Sequence, residues 1–282
     1  MQSPPPAQDG GPPRRGPPDT TAAILAGGKG TRLREAVPDR PKALAEVAGR
    51  PLLAYLLAQL ERHGFARVVL CTGHMGERVR EAVGPKFGRL AIAYSQEPAP
   101  LGTGGALRLA LAMLDSPDVL VMNGDSYCGA DLGALLAFHA AGSGTRPRAG
   151  SLTVVRAADA RRYGCVRFGP DGRVTAFEEK DRAAGAGWIN AGVYALARDA
   201  IAEVPAGRAI SLEKELFPQW AGRAGRGLYA WPAAGAPFID IGCPESYKDA
   251  QAFFAPGGPG GQAGPAARRA LDRRGRRERR GK

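Results

Sequence analysis

The segment that most constrains the fold of this chain is a short apolar run that leads directly into a glycine-rich loop. Residues Thr21–Leu25 predict a buried strand, and the loop after it reads Ala-Gly-Gly-Lys-Gly-Thr-Arg. Glycine lets several backbone N–H groups converge without Cβ clashes, and the lysine and arginine add positive charge, so the loop suits a polyphosphate. It lacks the Gly-Lys-Ser/Thr of a P-loop, and Leu33 replaces the third glycine of a dinucleotide fingerprint. A loop of this kind, taken alone, is equally compatible with a simple turn.

Strand-like apolar runs alternate with helical patterns through the first half of the chain. The predicted strands are Thr21–Leu25, Arg67–Thr72, Leu90–Ser95 and Val119–Met122, and the predicted helices between them are Pro51–His63, Gly76–Val83 and Gly105–Leu114. Leucines at positions 52, 53, 56, 57 and 60 have the spacing of a helix packed on a sheet. Continuous apolar strands separated by helices indicate a parallel sheet covered on both faces.

Beyond residue 150 the pattern changes to shorter strands joined by turns. Strands are predicted over Ser151–Ala157, Tyr163–Phe168 and Arg173–Phe177, with Asp171-Gly172 as a hairpin turn, and helices over Arg198–Glu203 and Leu212–Trp220, with Ser211 as an N-cap. The fold class is therefore predicted to be α/β, with a single Rossmann-like, doubly wound, mostly parallel mixed sheet.

The two ends of the chain differ in composition from the middle. Residues 1–19 are crowded with proline and glycine, whereas residues 256–282 carry nine of the 39 Lys and Arg but two acidic residues. Neither segment has enough apolar side chains to offset its ordering entropy, so we predict disorder at both ends of one domain, residues 20–255. Much of the net charge of +12 thus belongs to the tail, and no specific nucleic-acid partner is expected. The alternative is an RNA-binding role of the arginine-rich tail.

Composition also bears on the compartment. No apolar run approaches the ~20 residues of a membrane span, and residues 1–19 contain no signal-peptide core, so no membrane span is expected. The four cysteines are scattered without the paired spacing of metal ligands. They predict free thiols in a cytoplasmic protein.

Three loops are expected to meet at one crevice. Open α/β sheets bind ligands outside the carboxyl ends of their strands. The glycine loop, the loop 94–102 and the turn Asn123-Gly124-Asp125 all follow predicted strands. The sequence therefore predicts a ligand site where these loops converge.

Several motifs in this order resemble the signature of the sugar-1-phosphate nucleotidyltransferases. They are the glycine loop with Pro41-Lys42, then Leu101-Gly102-Thr103-Gly104-Gly105-Ala106, Asn123-Gly124-Asp125, Tyr163-Gly164, Phe177-Glu178-Glu179-Lys180, Asn190-Ala191-Gly192-Val193-Tyr194 and Phe238-Ile239-Asp240-Ile241-Gly242. Each motif is modest, but the collinear set from Thr20 to Phe254 is specific. It looks most similar to guanylyltransferases that act on heptose or mannose 1-phosphate. The resemblance implies transfer of a nucleoside monophosphate, with GMP from GTP favoured, to a sugar 1-phosphate.

The resemblance also implies roles for individual residues. It makes Arg32, Lys42, Asp125 and Asp240 the catalytic set, with Mg²⁺ held by the two aspartates. It assigns nucleotide binding to Leu25, Gly27, Gly28, Gly30, Thr31, Glu97, Gly102 and Thr103, and sugar-phosphate binding to Gly164, Glu179, Lys180 and Asn190. Taken alone, Asp125 is equally compatible with a turn residue, and Asp240 with the cap of a helix that starts at Pro244.

The choice of base can be argued from hydrogen bonding. Guanine presents two adjacent donors, and the carboxylate of Glu97 only accepts, so Glu97 favours guanine. A thymidylyl-, uridylyl- or adenylyltransferase of the same fold remains an alternative, as does a non-catalytic nucleotide-sugar sensor. The expected partners are the NTP and the sugar phosphate; the oligomeric state stays open, a homo-oligomer included.

Overall fold

The structure is a computed structural model that describes residues 16–28, 30, 33, 40–142, 147–178 and 185–261. Its strands are β1 (Thr21–Leu25), β2 (Glu46–Val47), β3 (Arg50–Pro51), β4 (Arg67–Thr72), β5 (Lys86–Phe87), β6 (Leu90–Gln96), β7 (Asp118–Asn123), β8 (Ser126–Cys128), β9 (Arg148–Ala157), β10 (Cys165–Phe168), β11 (Val174–Glu178), β12 (Gly187–Ala197), β13 (Gly227–Pro232) and β14 (Phe238–Asp240). Its helices are α1 (Leu52–Arg62), α2 (Gly76–Val83), α3 (Gly102–Ala110), α4 (Leu132–Ala140), α5 (Arg198–Ala202), α6 (Phe217–Ala221) and α7 (Pro244–Phe253). Short 3₁₀ helices lie at Pro17–Asp19, Lys42–Leu44 and Leu111–Met113, and a π-helical segment at Leu212–Leu216.

An eight-stranded mixed sheet, in the order β13-β9-β12-β7-β1-β4-β6-β5, organises the described residues. The pairs β13–β9, β7–β1, β1–β4 and β4–β6 are parallel, and the other neighbours are antiparallel. The predicted α/β class with a mixed sheet is confirmed. The hairpin β10–β11 forms a two-stranded sheet of its own, as do β8–β14 and β2–β3.

Two hydrophobic clusters cover the two faces of the sheet. Successive residues of β1 alternate between them: Ile24 belongs to the cluster that contains Leu56 of α1, and Ala23 to the cluster that contains Leu107 of α3 and Trp220 of α6. All five of these side chains are buried. Because a strand turns successive side chains to opposite faces, an uninterrupted apolar strand is what a sheet packed on both sides requires.

The predicted strands Thr21–Leu25 and Arg67–Thr72 and the predicted helix Gly76–Val83 are confirmed residue for residue. Helix α3 begins three residues before the predicted start. The N–H groups of Gly104 and Gly105 donate to the carbonyl of Ile210 at 2.9 and 3.2 Å, so a distant segment satisfies the first helical turn.

The helix predicted over Leu212–Trp220 is a π-helical segment followed by α6. The carbonyl of Ser211 accepts from the N–H groups of both Glu215 and Leu216, at 3.2 and 3.1 Å. Pro218 lies at the start of α6, where its missing N–H is tolerated. The side chain of Ser211 accepts from the Lys214 N–H, which confirms the predicted cap.

The sequence interpretation missed strand β12, which lies between β7 and β9 in the sheet. It recognised Asn190–Tyr194 only as a motif, because asparagine and glycine interrupt the apolar pattern. In the structure, the strand contains an irregularity where these residues lie: the β12–β9 register shifts between Asn190 and Tyr194, and Gly192 has a φ of +72°. An irregularity of this kind lets a strand carry polar residues to a site. Strands β8, β13 and β14 and helix α4 were also missed.

The two terminal segments are described only in part. Pro17–Asp19 form a 3₁₀ helix, and the Thr20 hydroxyl donates to the Gly16 carbonyl at 2.9 Å. Residues 1–15 and 262–282, on which most of the predicted disorder falls, lie outside the described residues. In the part of the chain that the structure covers, no helix combines the length and the apolar character that crossing a membrane demands.

Replacing Gly192 by alanine tests the packing of β12 on the turn after β7. A Cβ at Gly192 would lie 2.7 Å from the Ser126 Oγ, whereas Gly207, with a φ of +74°, has open space around it. We expect Gly207→Ala to cost ~1–2 kcal/mol of unfolding free energy from backbone strain alone. Gly192→Ala should cost ~1–3 kcal/mol more because of overpacking. Urea denaturation of both variants measures the difference, and equal costs would contradict the close packing.

Candidate active site

A cavity of about 360 Å³ lies at the carboxyl ends of β1, β4, β6 and β7. It is lined by Leu25, Ala26, Gly27, Gly28, Lys42, Ala43, Cys71, Glu97, Pro100, Gly102, Thr103, Ala106, Asn123, Gly124, Asp125 and Glu213. The glycine loop, the loop after β6 and the turn after β7 therefore meet, which confirms the predicted crevice.

The three described glycines of the loop after β1 differ in their surroundings. A Cβ on Gly27 would lie 2.3 Å from an oxygen of Glu97, so this position admits no side chain while Glu97 stays in place. Gly28 has open space around it. Gly30 has a φ of +59° and passes within 3.2 Å of the Lys42 Cβ, measured from its ideal Cβ position. Gly30 thus packs closely against the side chain of Lys42, which lines the cavity.

The turn Asn123-Gly124-Asp125 packs directly on the end of β1. The Gly124 N–H donates to the Leu25 carbonyl at 3.0 Å, and a Cβ on Gly124 would lie 2.6 Å from that oxygen. Only glycine permits this approach, and it delivers Asp125 to the cavity wall. There the Lys42 Nζ contacts the Asp125 Oδ2 at 2.7 Å; the lysine side chain is 13% exposed and the aspartate 44%.

Asp240 lies on the strand next to Asp125, although 115 positions separate them in the sequence. Strand β14 pairs with β8 so that Asp240 faces Ser126, and the Ile241 N–H donates to the Asp125 carbonyl at 2.9 Å. The hydroxyl of Tyr163 donates to the Asp240 Oδ1 at 3.0 Å, and the Gly242 N–H donates to Oδ2 at 2.8 Å. The two predicted metal ligands are therefore neighbours.

Tyr163 stays a neutral hydrogen-bond donor to Asp240. Burial, reinforced by the negative charge of Asp240, raises the pKa of Tyr163 to about 12. Helix α7 is capped by Cys243, so the alternative interpretation of Asp240 as its capping residue does not hold.

The chemistry of these donors fits a hard divalent cation. Asp125 and Asp240 offer carboxylate oxygens at adjoining strand ends beside a cavity, and oxygen is the ligand that Mg²⁺ prefers. Among the described residues, no three or more His, Cys, Asp or Glu side chains form a metal-binding cluster. A cation held here would take its other ligands from phosphate and water, as Mg²⁺ commonly does.

Glu97 follows β6, which β1 and β4 separate from β7 in the sheet, so it lies across the cavity from Asp125. Its Oε2 accepts from the Leu101 N–H at 2.6 Å. Burial raises the pKa of Glu97 above its ordinary value of 4.5, while the Leu101 N–H partly opposes that rise. Gly102, with a φ of +69°, follows at the start of α3 and also lines the cavity.

The residues predicted to bind the sugar phosphate are only partly placed. Asn190 donates from Nδ2 to the Tyr194 hydroxyl at 3.0 Å and accepts from the Gly192 N–H at 2.9 Å. Gly164 has a φ of +81° and directly follows Tyr163, the partner of Asp240. Neither Asn190 nor Gly164 lines the 360 Å³ cavity. Thr31, Arg32, Glu179 and Lys180 lie outside the described residues.

Two residues of the site escaped the sequence interpretation. Glu213 lines the cavity, but it lies in Ser211-Leu212-Glu213-Lys214, which was interpreted only as a helix start. Tyr163 was noted in a motif without a role, and its contact with Asp240 joins segments far apart in the chain. An aromatic hydroxyl next to a motif glycine is the signal that could have identified Tyr163. No local signal marks Glu213.

Comparisons with known proteins agree with the resemblance seen in the motifs. The family model described as nucleotidyl transferase matches residues 21–256. A mannose-1-phosphate guanylyltransferase of Mycobacterium tuberculosis is 37% identical over 232 residues, which are 81% of this chain and 63% of the relative. A D-glycero-alpha-D-manno-heptose 1-phosphate guanylyltransferase of Aneurinibacillus thermoaerophilus is 34% identical, over 81% of this chain and 95% of the relative.

Solved structures show the same architecture. HddC from Yersinia pseudotuberculosis matches with a TM-score of 0.71 and 31% identity, over 83% of this chain and 99% of HddC. Its complex with GMP-PN matches with a TM-score of 0.70. The present chain thus spans nearly the whole of HddC but less than two thirds, 63%, of the mycobacterial relative.

The raised pKa of Glu97 predicts a pH dependence of stability. In the unfolded chain Glu97 has its ordinary pKa, whereas in the folded protein its pKa is higher. As the pH rises between these two pKa values, Glu97 ionises in the unfolded chain but stays protonated in the folded protein, which favours unfolding of the wild type. Glu97→Gln removes this effect, so its stability relative to wild type should increase as the pH rises from about 4 to about 7. Chemical denaturation across this range is the measurement.

Glu178→Gln is the matched control with the opposite sign. The hydrogen bonds from Arg167 hold the pKa of Glu178 below its ordinary value. Wild type therefore gains stability as the pH rises from the lowered pKa of the folded protein to the ordinary pKa of the unfolded chain. The stability of Glu178→Gln relative to wild type should therefore fall as the pH rises through a lower range, from about 3 to about 5, because the folded-state pKa lies below the ordinary carboxyl value. A slope of the same sign in both variants would contradict the burial of Glu97.

Proposed function

Because this chain belongs to the nucleotidyl transferase family, we propose that it transfers the GMP unit of GTP to a sugar 1-phosphate and releases pyrophosphate. Heptose 1-phosphate and mannose 1-phosphate are the proposed acceptors, since relatives at 34% and 37% identity carry these activities in their names. The observation that carries the proposal is the polarity of the cavity: a lysine and a carboxylate lie at one end, and an acceptor-only carboxylate lies at the other.

The reaction joins two polyanions, so charge neutralisation is the main task of the protein. An oxygen of the sugar phosphate, already ionised near neutral pH, attacks the α-phosphorus of GTP, and the bond to the departing pyrophosphate breaks. No general base is needed. Lys42, which is largely buried, supplies a positive charge beside Asp125. The family resemblance assigns Arg32 to the departing phosphates, because a guanidinium forks onto two phosphate oxygens.

Mg²⁺ is the proposed cofactor, held by Asp125 and Asp240. When bound, it supplies neutralisation of the phosphate charge that develops during transfer. Tyr163 donates to Asp240 and so fixes the orientation of that carboxylate. Lys42 does the same for Asp125 and offsets its negative charge next to the phosphate site.

Base selection is proposed to rest on Glu97. Its ionised carboxylate accepts hydrogen bonds and cannot donate, which complements the adjacent N1–H and N2–H₂ donors of guanine. The alternatives are a thymidylyl-, uridylyl- or adenylyltransferase of the same fold, and a protein that binds nucleotide sugars without turning them over. Leu25, Gly27, Gly28, Gly30, Thr31, Gly102 and Thr103 are proposed to complete the nucleotide site.

The sugar phosphate is proposed to contact Gly164, Glu179, Lys180 and Asn190. Of these residues, Asn190 and Gly164 lie on the side of Asp240 and Tyr194 rather than in the 360 Å³ cavity, which supports a second substrate position next to the first. We propose a cytoplasmic location, which agrees with the four free cysteines. We propose small-molecule partners, the NTP and the sugar 1-phosphate, and no specific nucleic acid.

Pyrophosphate release in the presence of Mg²⁺ tests the reaction. We expect GTP to give the highest kcat/KM among GTP, ATP, UTP and dTTP, each assayed with heptose 1-phosphate and with mannose 1-phosphate. Glu97→Gln should lower the preference for GTP over UTP by at least about tenfold, since a hydrogen bond to a charged group contributes ~1.5–3 kcal/mol. Release with dTTP alone would contradict the role of Glu97. Binding of nucleotide sugar without any release would favour the sensor.

The proposed metal ligands are tested by isosteric changes. Asp125→Asn and Asp240→Asn should each lower kcat by at least about 100-fold, because a weakened ligand set stabilises the transition-state charge less well. Each should also weaken Mn²⁺ binding in a spectroscopic titration. Asp249→Asn, an exposed position on α7, is the control and should change neither quantity. Full activity of either ligand variant would contradict the metal site.

A further inference from the structure

The carboxylate of Glu213 is held in one orientation by three hydroxyl groups. Its Oε2 accepts from the Thr103 Oγ1 at 2.8 Å and from the Ser211 Oγ at 3.2 Å. Its Oε1 accepts from the Tyr194 hydroxyl at 3.2 Å. Glu213 is half-buried and lines the nucleotide cavity, so its position is fixed before any ligand arrives.

The direction of each hydrogen bond in this network is determined. The Leu212 N–H donates to the Thr103 Oγ1 at 2.7 Å, so the hydroxyl proton of Thr103 is directed to Glu213. The side-chain amides of Asn123 and Asn190 donate to the Tyr194 oxygen at 3.3 and 3.0 Å. Tyr194 therefore donates its own proton to Glu213.

One acceptor position on Glu213 remains. An ionised carboxylate has about four lone-pair sites, and the described residues fill three of them, two on Oε2 and one on Oε1. The group that complements the remaining site is a hydrogen-bond donor. Because the carboxylate carries a negative charge, it repels a phosphate and favours a hydroxyl or amide.

The neighbours of Glu213 place it between the two ends of the cavity. Thr103 follows Gly102, at the end that contains Glu97. Through Tyr194, the network reaches Asn123, which adjoins Gly124 and Asp125 at the end that contains Lys42. In a nucleoside triphosphate bound with its base at one end and its phosphates at the other, the group that lies between them is the ribose.

We infer that the Glu213 Oε1 accepts a hydrogen bond from a ribose hydroxyl of the nucleotide, with Tyr194 as the residue that positions it. The inference rests on the proposed function for the direction in which the nucleotide lies. If the contact is to the 2′ hydroxyl, the site discriminates against 2′-deoxynucleotides; if it is to the 3′ hydroxyl, the site discriminates against 3′-deoxynucleotides. Tyr194 does not touch the nucleotide; it acts by holding Glu213.

A cycle of protein and ligand changes tests this contact. Equilibrium binding of GTP, 2′-deoxy-GTP and 3′-deoxy-GTP is measured for wild type and for Glu213→Ala. In wild type, one deoxy analogue should bind at least about tenfold more weakly than GTP, as expected for a hydrogen bond to a charged group. Glu213→Ala should bind GTP as weakly as wild type binds that analogue. In this variant, GTP and the analogue should have the same dissociation constant.

Two further variants separate binding from folding. Tyr194→Phe keeps the ring packed against Phe217, at a centroid distance of 4.9 Å, but removes the hydroxyl that holds Glu213. Tyr194→Phe should reduce the ratio of GTP affinity to the affinity for that deoxy analogue. It should leave the ratio of GTP affinity to UTP affinity unchanged. Glu215→Gln is the matched control: Glu215 is exposed, lies two positions away in the same π-helical segment and does not line the cavity, so it should match wild type.

Losses of equal size for all three guanine nucleotides in Glu213→Ala would overturn the inference. A change in preference between GTP and UTP, with the hydroxyl effect intact, would overturn it too, because Glu213 would then contact the base. If wild type does not bind GTP, the proposed GTP specificity fails separately. The same cycle with UTP, 2′-deoxy-UTP and 3′-deoxy-UTP then tests the ribose contact by itself.

Discussion

The close packing of the Asn123-Gly124-Asp125 turn on the end of β1 is the contact on which the site depends. The Gly124 N–H donates to the Leu25 carbonyl at 3.0 Å, where a Cβ would lie 2.6 Å from that oxygen. This approach brings Asp125 next to Lys42 and sets the start of β8, which in turn pairs with β14. One glycine thus positions a cation and both proposed metal ligands.

Polar groups around the cavity are held by partners from distant segments. Tyr194 lies at the centre of one network, with Asn123 and Asn190 donating to it and Glu213 accepting from it. Burial keeps the pKa of Tyr194 well above its ordinary value, so the hydroxyl remains a donor. Such a directed network orients side chains before a ligand binds, which lowers the reorganisation needed for the proposed nucleotidyl transfer.

The same principle applies at the other carboxylates. Glu97 is oriented by the Leu101 N–H, and Asp240 by Tyr163 and the Gly242 N–H. Neutral donors fix both carboxylates, and the Arg162 guanidinium also lies 3.8 Å from the Asp240 Oδ1. Lys42 differs, because it neutralises Asp125 directly. The site therefore presents an acceptor-only carboxylate where the base is proposed to bind, and pairs carboxylates with cations where the metal and the phosphates are proposed to bind.

The sequence by itself determined the order of the main strands and helices from β1 to β7, the crevice at the strand ends and the family, because apolar periodicity and glycine loops are local properties of the chain. It did not reveal β12, since Asn190 and Gly192 interrupt the apolar pattern that a strand would show. Only the tertiary structure decided that Asp240 adjoins Asp125, that Tyr163 orients Asp240 and that Glu213 faces the cavity. Each of these contacts joins segments whose spacing along the chain carries no information about their distance in space.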